Sequence, residues 1–334
     1  MTSVVETLLS STEPAIRLKA RIEILSEDPC SSRILKLREE VRASPRVKAL
    51  LSERRKDRKI SYHPYAKWDG AHWVLAALAD LSYPENDKSL VPLKMQVNQW
   101  LLSTDHKEYT EARPYKHRPP AALLGQIKER PRIHGSMEGN AVWSQLTLNL
   151  FDSNTEKLVE RLVSMQWPDG GWNCDGDPQA VNSSFMETAL PLRALALHGR
   201  LKRSSSSKSA AKRAAEVFLK RKMYKRAKTG SVINRDFVRL HYSLYWHYDV
   251  LHGLKILAEA GFIDDARCED ALDLLETKQL KNGGFPAESK YYRVSKNRGG
   301  RSLVDWGPVG PKTMNEFVTV DALSVLKEAG RWKP

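Results

Sequence analysis

The stretch Met186-Glu-Thr-Ala-Leu-Pro-Leu-Arg-Ala-Leu-Ala-Leu-His-Gly199 contains the pattern that decides the fold. It opens with a bulky side chain followed by a carboxylate, and it closes with a glycine that can end a helix. The same opening pair recurs as Trp68-Asp69, Met137-Glu138 and Tyr248-Asp249, and Phe317-Val318 repeats it without the charge. Gly261 stands as far from the acid of its own repeat as Gly199 does from Glu187. Such recurrence predicts a ring of equivalent helices that direct acids and aromatic rings at one shared cavity.

Apolar residues inside these segments recur mostly at three and four positions, which is typical of one helix face. Glycine-containing turns separate the repeats, as in Trp167-Pro-Asp-Gly-Gly-Trp172 and Lys281-Asn-Gly-Gly-Phe285. Each interval between repeats is long enough for one inner helix, one outer helix and loops. Residues 1–60 are predicted to hold the first helical hairpins, which lack the carboxylate. The sequence therefore predicts an all-α chain.

The segment Gln166-Trp-Pro-Asp-Gly-Gly-Trp172 resembles the QW motif of squalene and oxidosqualene cyclases, and Gly283-Gly-Phe285 resembles a degenerate second copy. The chain is thus similar to the cyclase and protein prenyltransferase superfamily over residues 14–330. That resemblance implies an (α/α)6 toroid, in which six inner helices begin at the mouth of a central funnel and six outer helices surround them. It also implies a single domain over residues 1–334, with residues 200–230 as a basic outer helix and a serine-rich loop.

The catalytic motifs of that superfamily are absent. Class II cyclases use a DxDD motif, which neither Asn173-Cys-Asp-Gly-Asp177 nor Ile263-Asp-Asp265 matches. Prenyltransferases hold zinc with Asp, Cys and His, whereas the three cysteines here are far apart in sequence. We therefore expect no cofactor and no metal. One alternative remains, a metal site of Cys174 with Asp175, Asp177 and either His247 or His252.

Composition limits the cellular setting. Hydrophobic residues make up 41% of the 334, which is ample for a core, and no apolar run is long enough to cross a membrane. The first residues lack a basic region followed by an apolar stretch, so a secreted form is not expected. Unpaired cysteines are typical of a reducing compartment. We predict a cytoplasmic protein without a membrane partner.

The net charge of +14 is concentrated in few segments. Residues 200–230 hold twelve Lys or Arg against Glu216 alone, and loops 54–67, 106–134 and 280–315 are also basic and rich in aromatic residues. Such a basic, aromatic rim favours nucleic acid, although a solvated outer helix would show a similar charge run. The residues expected to contact phosphates are Arg55, Lys59, Lys116, Arg118, Arg132, Lys220, Arg221, Lys222, Lys225, Arg226, Arg298 and Arg301.

Carboxylates and aromatic rings beneath a basic rim suit a reaction with a cationic transition state. The leading hypothesis is a DNA-binding hydrolase that resembles a DNA glycosylase and flips a modified or damaged base into the funnel, for repair or defence. Asp249 is the first catalytic candidate, followed by Glu187, Glu138 and Asp69. The residues expected to hold the flipped base are Trp68, Trp73, Trp246, His247, Tyr248 and Asp175.

The same residues have structural interpretations. An acid in the first turn of a helix is favoured by the helix dipole, and buried aromatic rings are commonly core residues. Two other functions also fit the pattern, an isoprenoid cyclase or prenyltransferase-like enzyme and a non-catalytic toroid that binds nucleic acid. The sequence does not decide the oligomeric state or the base.

Overall fold

The computed structural model describes residues 3–106, 129–295, 297 and 299–334. The helices of these residues are α1 (Val4–Leu9), α2 (Pro14–Lys19), α3 (Ser32–Ala43), α4 (Pro45–Leu50), α5 (Ala71–Asp80), α6 (Val91–Leu101), α7 (Gly135–Thr147), α8 (Ser153–Ser164), α9 (Phe185–Leu201), α10 (Ser205–Leu219), α11 (Val250–Glu259), α12 (Glu269–Glu276) and α13 (Glu316–Glu328). A π-helical turn, Ala20–Ile24, extends α2. Two short strands, β1 (Arg293–Val294) and β2 (Arg301–Ser302), pair in parallel.

The helices form two concentric layers. Helices α2, α5, α7, α9, α11 and α13 form the inner ring, in which α13 packs against the π-helical turn after α2. An ion pair of 4.0 Å between Lys19 and Asp80 joins α2 to α5 and completes the ring. The intervening helices α3, α6, α8, α10 and α12 pack outside it. The predicted all-α toroid is therefore confirmed.

Burial explains which helices lie inside. Most residues of α7 are buried on every side, whereas α8 buries one apolar stripe and exposes the rest. Helices α7 and α9 touch through Gly139, where a Cβ would lie 2.4 Å from the backbone nitrogen of Pro191. A glycine is required there because two inner backbones approach so closely. The repeated pair of bulky residue and acid does mark the start of inner helices, since α5, α7, α9, α11 and α13 begin within three residues of it.

The QW-type motif ties the outer layer to the loops. The Gln166 amide donates to the carbonyl oxygens of Gly170 and Ala210, at 2.6 and 2.8 Å. The Trp167 indole donates to the carbonyl of Pro131 at 2.8 Å, and the Trp172 indole donates to that of Leu162 at 3.1 Å. Hydrogen bonds from the motif therefore connect α8, α10 and the loop before α7.

The second copy repeats these bonds despite its different sequence. The Gln279 amide donates to the Gly283 carbonyl oxygen at 3.0 Å, as Gln166 does to Gly170. The backbone N–H of Phe285 donates to the Thr319 hydroxyl at 2.9 Å, and the same bond joins the N–H of Trp172 to the Thr188 hydroxyl at 3.2 Å. The predicted degenerate motif is thus a true structural repeat.

Two local predictions were wrong. The serine-rich segment is not a loop, because Ser204 caps α10 and the next serines form its first turn. Gly199 does not end α9, which continues to Leu201; it lies against the backbone of Lys208 in α10 instead. In the described part of the chain, no helix has the length and apolarity to cross a membrane.

Candidate functional site

The four recurring acids do not share a cavity, so that prediction was wrong. Asp249 is fully buried and caps α11. One carboxylate oxygen accepts from the backbone N–H of His252 at 2.9 Å, and the other accepts from the N–H of His241 at 2.8 Å. Both oxygens are therefore engaged with the backbone. The geometry supports a structural role for Asp249 and offers no surface for substrate.

Asp69 and Glu138 are also engaged by basic side chains. Asp69 accepts from the Arg301 guanidinium, with Oδ2 2.8 Å from its Nε, and Arg301 also pairs with Glu53 at 3.2 Å. Glu138 is buried and lies 3.3 Å from Nε of Arg161 on α8. These acids hold inner helices to a loop and to an outer helix. The repeat thus preserves an anchoring role rather than a catalytic one.

Glu187 differs from the other acids because it joins two further chemically reactive groups. Its Oε1 lies 3.3 Å from Nδ1 of His134 and accepts from the Cys174 thiol at 3.2 Å. Its Oε2 accepts from the backbone N–H of Ser136 at 2.9 Å. The ligand atoms of His134, Cys174 and Glu187 all lie within 4.8 Å of one another. We call these three residues the mouth cluster.

The local backbone explains how the mouth cluster forms. His134 immediately precedes α7, Glu187 lies in the first turn of α9, and Cys174 belongs to the loop between the QW-type motif and α9. Gly135 permits the close approach, because a Cβ there would lie 2.9 Å from the Glu187 carbonyl oxygen. Although burial alone would raise the pKa of the Glu187 carboxyl, His134 and the Ser136 N–H lower it below its ordinary value. The carboxyl is therefore ionised at neutral pH.

A second group of polar and aromatic side chains lines a cavity at the centre of the toroid. The centre of a water molecule can occupy a volume of about 80 Å³ inside this central cavity. Five aromatic residues line it, Trp73, Trp143, Tyr242, Tyr245 and Trp306. Its polar and charged lining residues include Asp80, Asn140, Arg193, His241, His252, Lys255 and Asp321.

Buried ion pairs form the inner wall of the central cavity. Oδ1 of Asp321 accepts from Lys19 and from Lys255, each at 2.8 Å. Lys255 also lies 3.7 Å from Asp80, which accepts a short hydrogen bond from the Tyr242 hydroxyl. Burial alone would raise the pKa of the Asp80 carboxyl, but the two lysine charges hold it well below its ordinary value. These carboxylates are therefore ionised and cannot serve as general acids at neutral pH.

Arg193 completes this wall from α9. Its guanidinium forms two hydrogen bonds of 2.6 Å with the Glu259 carboxylate, and it lies 3.8 Å over the Trp143 ring. Bidentate pairing and ring stacking fix the guanidinium plane. Helices α2, α5, α9, α11 and α13 thus each contribute a charged residue to one buried network.

Four of the residues expected to hold a base contact one another through their rings, namely Trp68, Trp73, Trp246 and His247, whereas Tyr248 and Asp175 lie apart from them. Trp73 lines the central cavity. Trp68 stacks on Tyr245 at 4.2 Å between ring centroids, and Trp246 stacks on His247 at 4.0 Å. Tyr248 is buried away from the cavity, where its hydroxyl donates to the Met223 carbonyl at 2.8 Å, so its predicted role was wrong. Asp175 is exposed and accepts from the backbone N–H of Asp177 at 3.0 Å.

Several basic residues expected on the rim have structural partners instead. Arg132 is buried, donates to the carbonyl oxygens of Ala180 and Asp177, and lies over the Trp167 ring. Arg301 pairs with Asp69, and both Lys222 and Lys225 pair with Asp270. Arg55 pairs with Asp57, Arg221 donates to Asn182, and Arg226 donates to the Ile233 carbonyl oxygen. Lys59 is half-buried and Lys220 is exposed. Lys116, Arg118 and Arg298 lie outside the described residues.

Sequence reasoning missed the charged residues of the central cavity. Each is a single charge inside an apolar helical segment, as Arg193 in Leu190-Pro-Leu-Arg-Ala-Leu195 and Asp321 in Val320-Asp-Ala-Leu323. Isolated charges of this kind are rarely buried without a partner, so they are a usable signal for an internal network. The alternative metal site was wrong in its partners, because Cys174 meets His134 and Glu187 rather than His247 or His252.

We predict that Asp249→Asn destabilises the protein by about 1–3 kcal/mol, because one of two buried backbone N–H groups would then face an amide NH2. Chemical denaturation would measure this loss. Asp264→Asn is a matched control at an exposed acid, and we expect a change of less than about 0.5 kcal/mol there. Unchanged stability of Asp249→Asn would contradict the capping role.

This chain is similar to known proteins in structure. No protein-family model matches the sequence, and no curated protein is significantly similar to it. One similar structure is an unsaturated glucuronyl hydrolase from Bacillus sp. GL1, described as responsible for glycosaminoglycan degradation, with 13% identity, a TM-score of 0.43, and coverage of 94% of this chain and 84% of that chain. Another is a UGL variant with dGlcA-Glc-Rha-Glc, with 13% identity, a TM-score of 0.44 and the same coverage. This likeness concerns the fold alone.

The prediction of a DNA glycosylase with DNA as its partner was wrong. One similar structure is described as a hydrolase that degrades glycosaminoglycan, the other contains dGlcA-Glc-Rha-Glc, and neither is described as a DNA enzyme. In this chain, moreover, Asp69, Glu138 and Asp249 bind arginines or backbone instead of lining a cavity. The isoprenoid enzyme and the nucleic-acid-binding toroid are likewise matched by neither structure.

Proposed function

We propose that this toroid is a metal-assisted hydrolase whose metal ion binds to the mouth cluster. The observation that supports this most is the convergence of an imidazole nitrogen, a thiol and a carboxylate oxygen within 4.8 Å. Separations of 3.2 and 3.3 Å between ligand atoms suit a shared ion at the usual bond lengths of about 2.0–2.3 Å. Zinc accepts all three ligand types, and catalytic zinc sites use three protein ligands.

The chain's own residues prepare this site for a cation. The Ser136 N–H holds Glu187 Oε2, which leaves Oε1 directed at His134 and Cys174. Because the pKa of the Glu187 carboxyl is lowered, this ligand is already deprotonated at neutral pH. A bound zinc ion would supply an activated water molecule as the nucleophile.

The mouth cluster also lies next to the central cavity. Leu190 lines that cavity and stands one helical turn beyond Glu187 on the same face of α9. A turn of that size spans about 5 Å. A substrate could therefore place its scissile bond at the mouth cluster and its remaining part in the central cavity.

Cobalt titration tests the metal site directly. We expect one Co²⁺ per chain, with the absorption of a thiolate-bound ion, and displacement of Co²⁺ by Zn²⁺. Cys174→Ser and Glu187→Gln should each weaken binding at least about 10-fold, since even the loss of a group that only orients a ligand typically costs about 10-fold to 100-fold in affinity. Cys30→Ser removes an exposed thiol elsewhere and should bind like the parent. Equal binding by Cys174→Ser would show that the metal lies elsewhere.

Hydrolysis is tested on zinc-loaded protein with nitrophenyl glycosides, esters and phosphates. We expect one substrate class to be turned over, and we expect activity to disappear with a chelator and return with zinc. Cys174→Ser should lose this activity, while Cys30→Ser should retain it. Stoichiometric zinc without turnover of any of these substrates would identify a structural metal and refute the hydrolase.

A further inference from the structure

We propose that the central cavity binds one neutral sugar ring, so that a small neutral glycoside is the substrate class of this site. The hydrolytic part of this inference rests on the proposed function, whereas the binding part does not. The evidence comes from unpaired polar atoms, aromatic walls, balanced charge and size.

Two histidines that line the central cavity each have one imidazole nitrogen without a hydrogen-bond partner among the described residues. Within the described part of the chain, Nε2 of His241 and Nδ1 of His252 are buried without hydrogen-bond partners. Both residues line the central cavity, and His241 and His252 are only 2% and 8% exposed. A buried polar atom left in this way loses its hydration without compensation, and a hydrogen bond from a bound hydroxyl group would supply that compensation.

The protonation of His252 favours a hydroxyl over an ion. Burial lowers the pKa of His252 to about 4, so its imidazole is neutral at physiological pH. A neutral imidazole offers one N–H donor and one acceptor nitrogen. A sugar hydroxyl can donate and accept in the same way. Asn140 also lines the cavity; its amide nitrogen lies 3.0 Å from Nε2 of His72, which leaves its amide oxygen to accept from a hydroxyl group.

The aromatic lining supplies the complementary apolar surface. Trp73, Trp143 and Trp306 all border the cavity and are at most 6% exposed. Large rigid rings gain apolar contact area without ordering flexible side chains. A pyranose ring presents C–H groups on its faces and hydroxyl groups around its edge. It therefore fits walls that combine ring faces with hydrogen-bonding groups.

The charge balance of the lining selects a neutral ligand. Asp80 and Asp321 are opposed by Arg193 and Lys255, so these lining groups sum to zero. Behind them, Glu259 pairs with Arg193, Lys19 pairs with Asp321, and the Glu23 carboxyl interacts with Lys19 and Lys255, so none of these cations lacks an acidic partner. A uronate or sugar phosphate would lose its hydration without gaining an unpaired cation. We therefore exclude charged sugars from the proposed class.

The size of the cavity limits the ligand to one ring. A space of about 80 Å³ for the centres of water molecules admits several waters, which is the scale of a single sugar ring rather than of an oligosaccharide. The rest of a longer glycoside would extend toward the mouth cluster.

Calorimetric titration and tryptophan fluorescence test the binding, with methyl glucoside, methyl galactoside, glucuronate and adenosine as probes. Protein is measured both after chelator treatment and after zinc loading. We expect one neutral methyl glycoside to bind with a Kd of about 1 mM or lower in both states. Glucuronate should bind at least about tenfold more weakly because of the balanced charge.

Variants place the binding in the central cavity. His252→Leu and Asn140→Ala should each weaken methyl glycoside binding about tenfold, since each removes a hydrogen-bonding group. His63→Leu removes an imidazole outside the cavity and should leave binding unchanged. Melting temperatures identify any variant that fails to fold. If one cavity variant does not fold, the methyl glycoside affinity of the other variant tests the location of the binding site.

Three results would overturn the inference. They are the absence of saturable binding by either neutral glycoside, tighter binding of glucuronate or adenosine, and full affinity in both folded cavity variants. Sugar binding without hydrolysis would refute the proposed function and leave this inference standing. Hydrolysis of another substrate class without sugar binding would refute this inference and leave the metal-assisted hydrolase standing.

Discussion

Asp321→Asn is expected to lower the free energy of unfolding by about 3–5 kcal/mol, because breaking a buried ion pair leaves charge without compensation. Asp321 accepts from both Lys19 and Lys255 at 2.8 Å, and it is only 7% exposed. Asparagine keeps the shape of the side chain but removes its charge. Two buried ammonium groups would then share Asp80, which is 4.0 and 3.7 Å away from them.

Denaturant titration measures this loss, and two further variants interpret it. Glu40→Gln breaks the more exposed pair with Arg17 and should cost less than about 1 kcal/mol. The double variant Lys19→Met with Asp321→Asn removes one buried cation together with the anion. We expect it to be more stable than Asp321→Asn alone. A single variant as stable as Glu40→Gln would contradict a buried network.

Acidification from about pH 6.5 to about pH 4 is expected to destabilise the protein strongly because its buried histidines remain neutral. Burial lowers the pKa of His72 to about 3 and that of His252 to about 4. In the unfolded chain both would titrate near the ordinary value of about 6.5. The unfolded state therefore binds more protons throughout this window, and stability falls as pH falls.

Each fully buried imidazole contributes on the order of 3 kcal/mol to this dependence, since one pKa unit corresponds to about 1.4 kcal/mol. This stabilisation is fully present at a pH above the pKa that the imidazole has in the unfolded chain. It is lost as the pH falls from that value to the pKa of the imidazole in the folded protein. Asp80 and Asp321 have lowered pKa values, so their own contributions disappear only at still lower pH. The histidine effect is therefore separable from theirs.

Unfolding free energies measured from pH 7.5 to pH 4.5 test this prediction. His72→Gln should flatten the dependence, because glutamine takes up no proton, even if it lowers stability at neutral pH. His63→Gln is the control, since His63 is much less buried. A stability that stays constant across this range would show that these imidazoles are protonated in the folded protein.

The toroid could be predicted from the sequence because its signals are local. Helix periodicity and glycine turns recur along the chain, and a bulky residue precedes an acid at the inner helices α5, α7, α9 and α11. The same local rules define the QW-type motif, in which Gln166 and Gly170 are four residues apart and bond directly. The second copy was recognised from Gly283-Gly-Phe285, although only the structure shows that Gln279 completes it.

The candidate site could be predicted only in part. Glu187 was singled out as one of four similar acids, but nothing in its own segment separates it from Asp249. The difference lies in the partners. Glu187 meets His134 and Cys174 from two other segments, whereas Asp249 meets backbone N–H groups close to it in sequence.

The sequence by itself determined which segments form inner helices and where they begin, because helix formation depends on neighbours within a few residues. Only the tertiary structure decided what the acids do, since Asp69 and Arg301 or His134 and Cys174 meet through ring closure and helix packing. It also decided that lone charges such as Asp80, Lys255 and Asp321 face one another across the inner ring. Charge in a sequence shows how many ionic groups must be satisfied, and packing in three dimensions selects their partners.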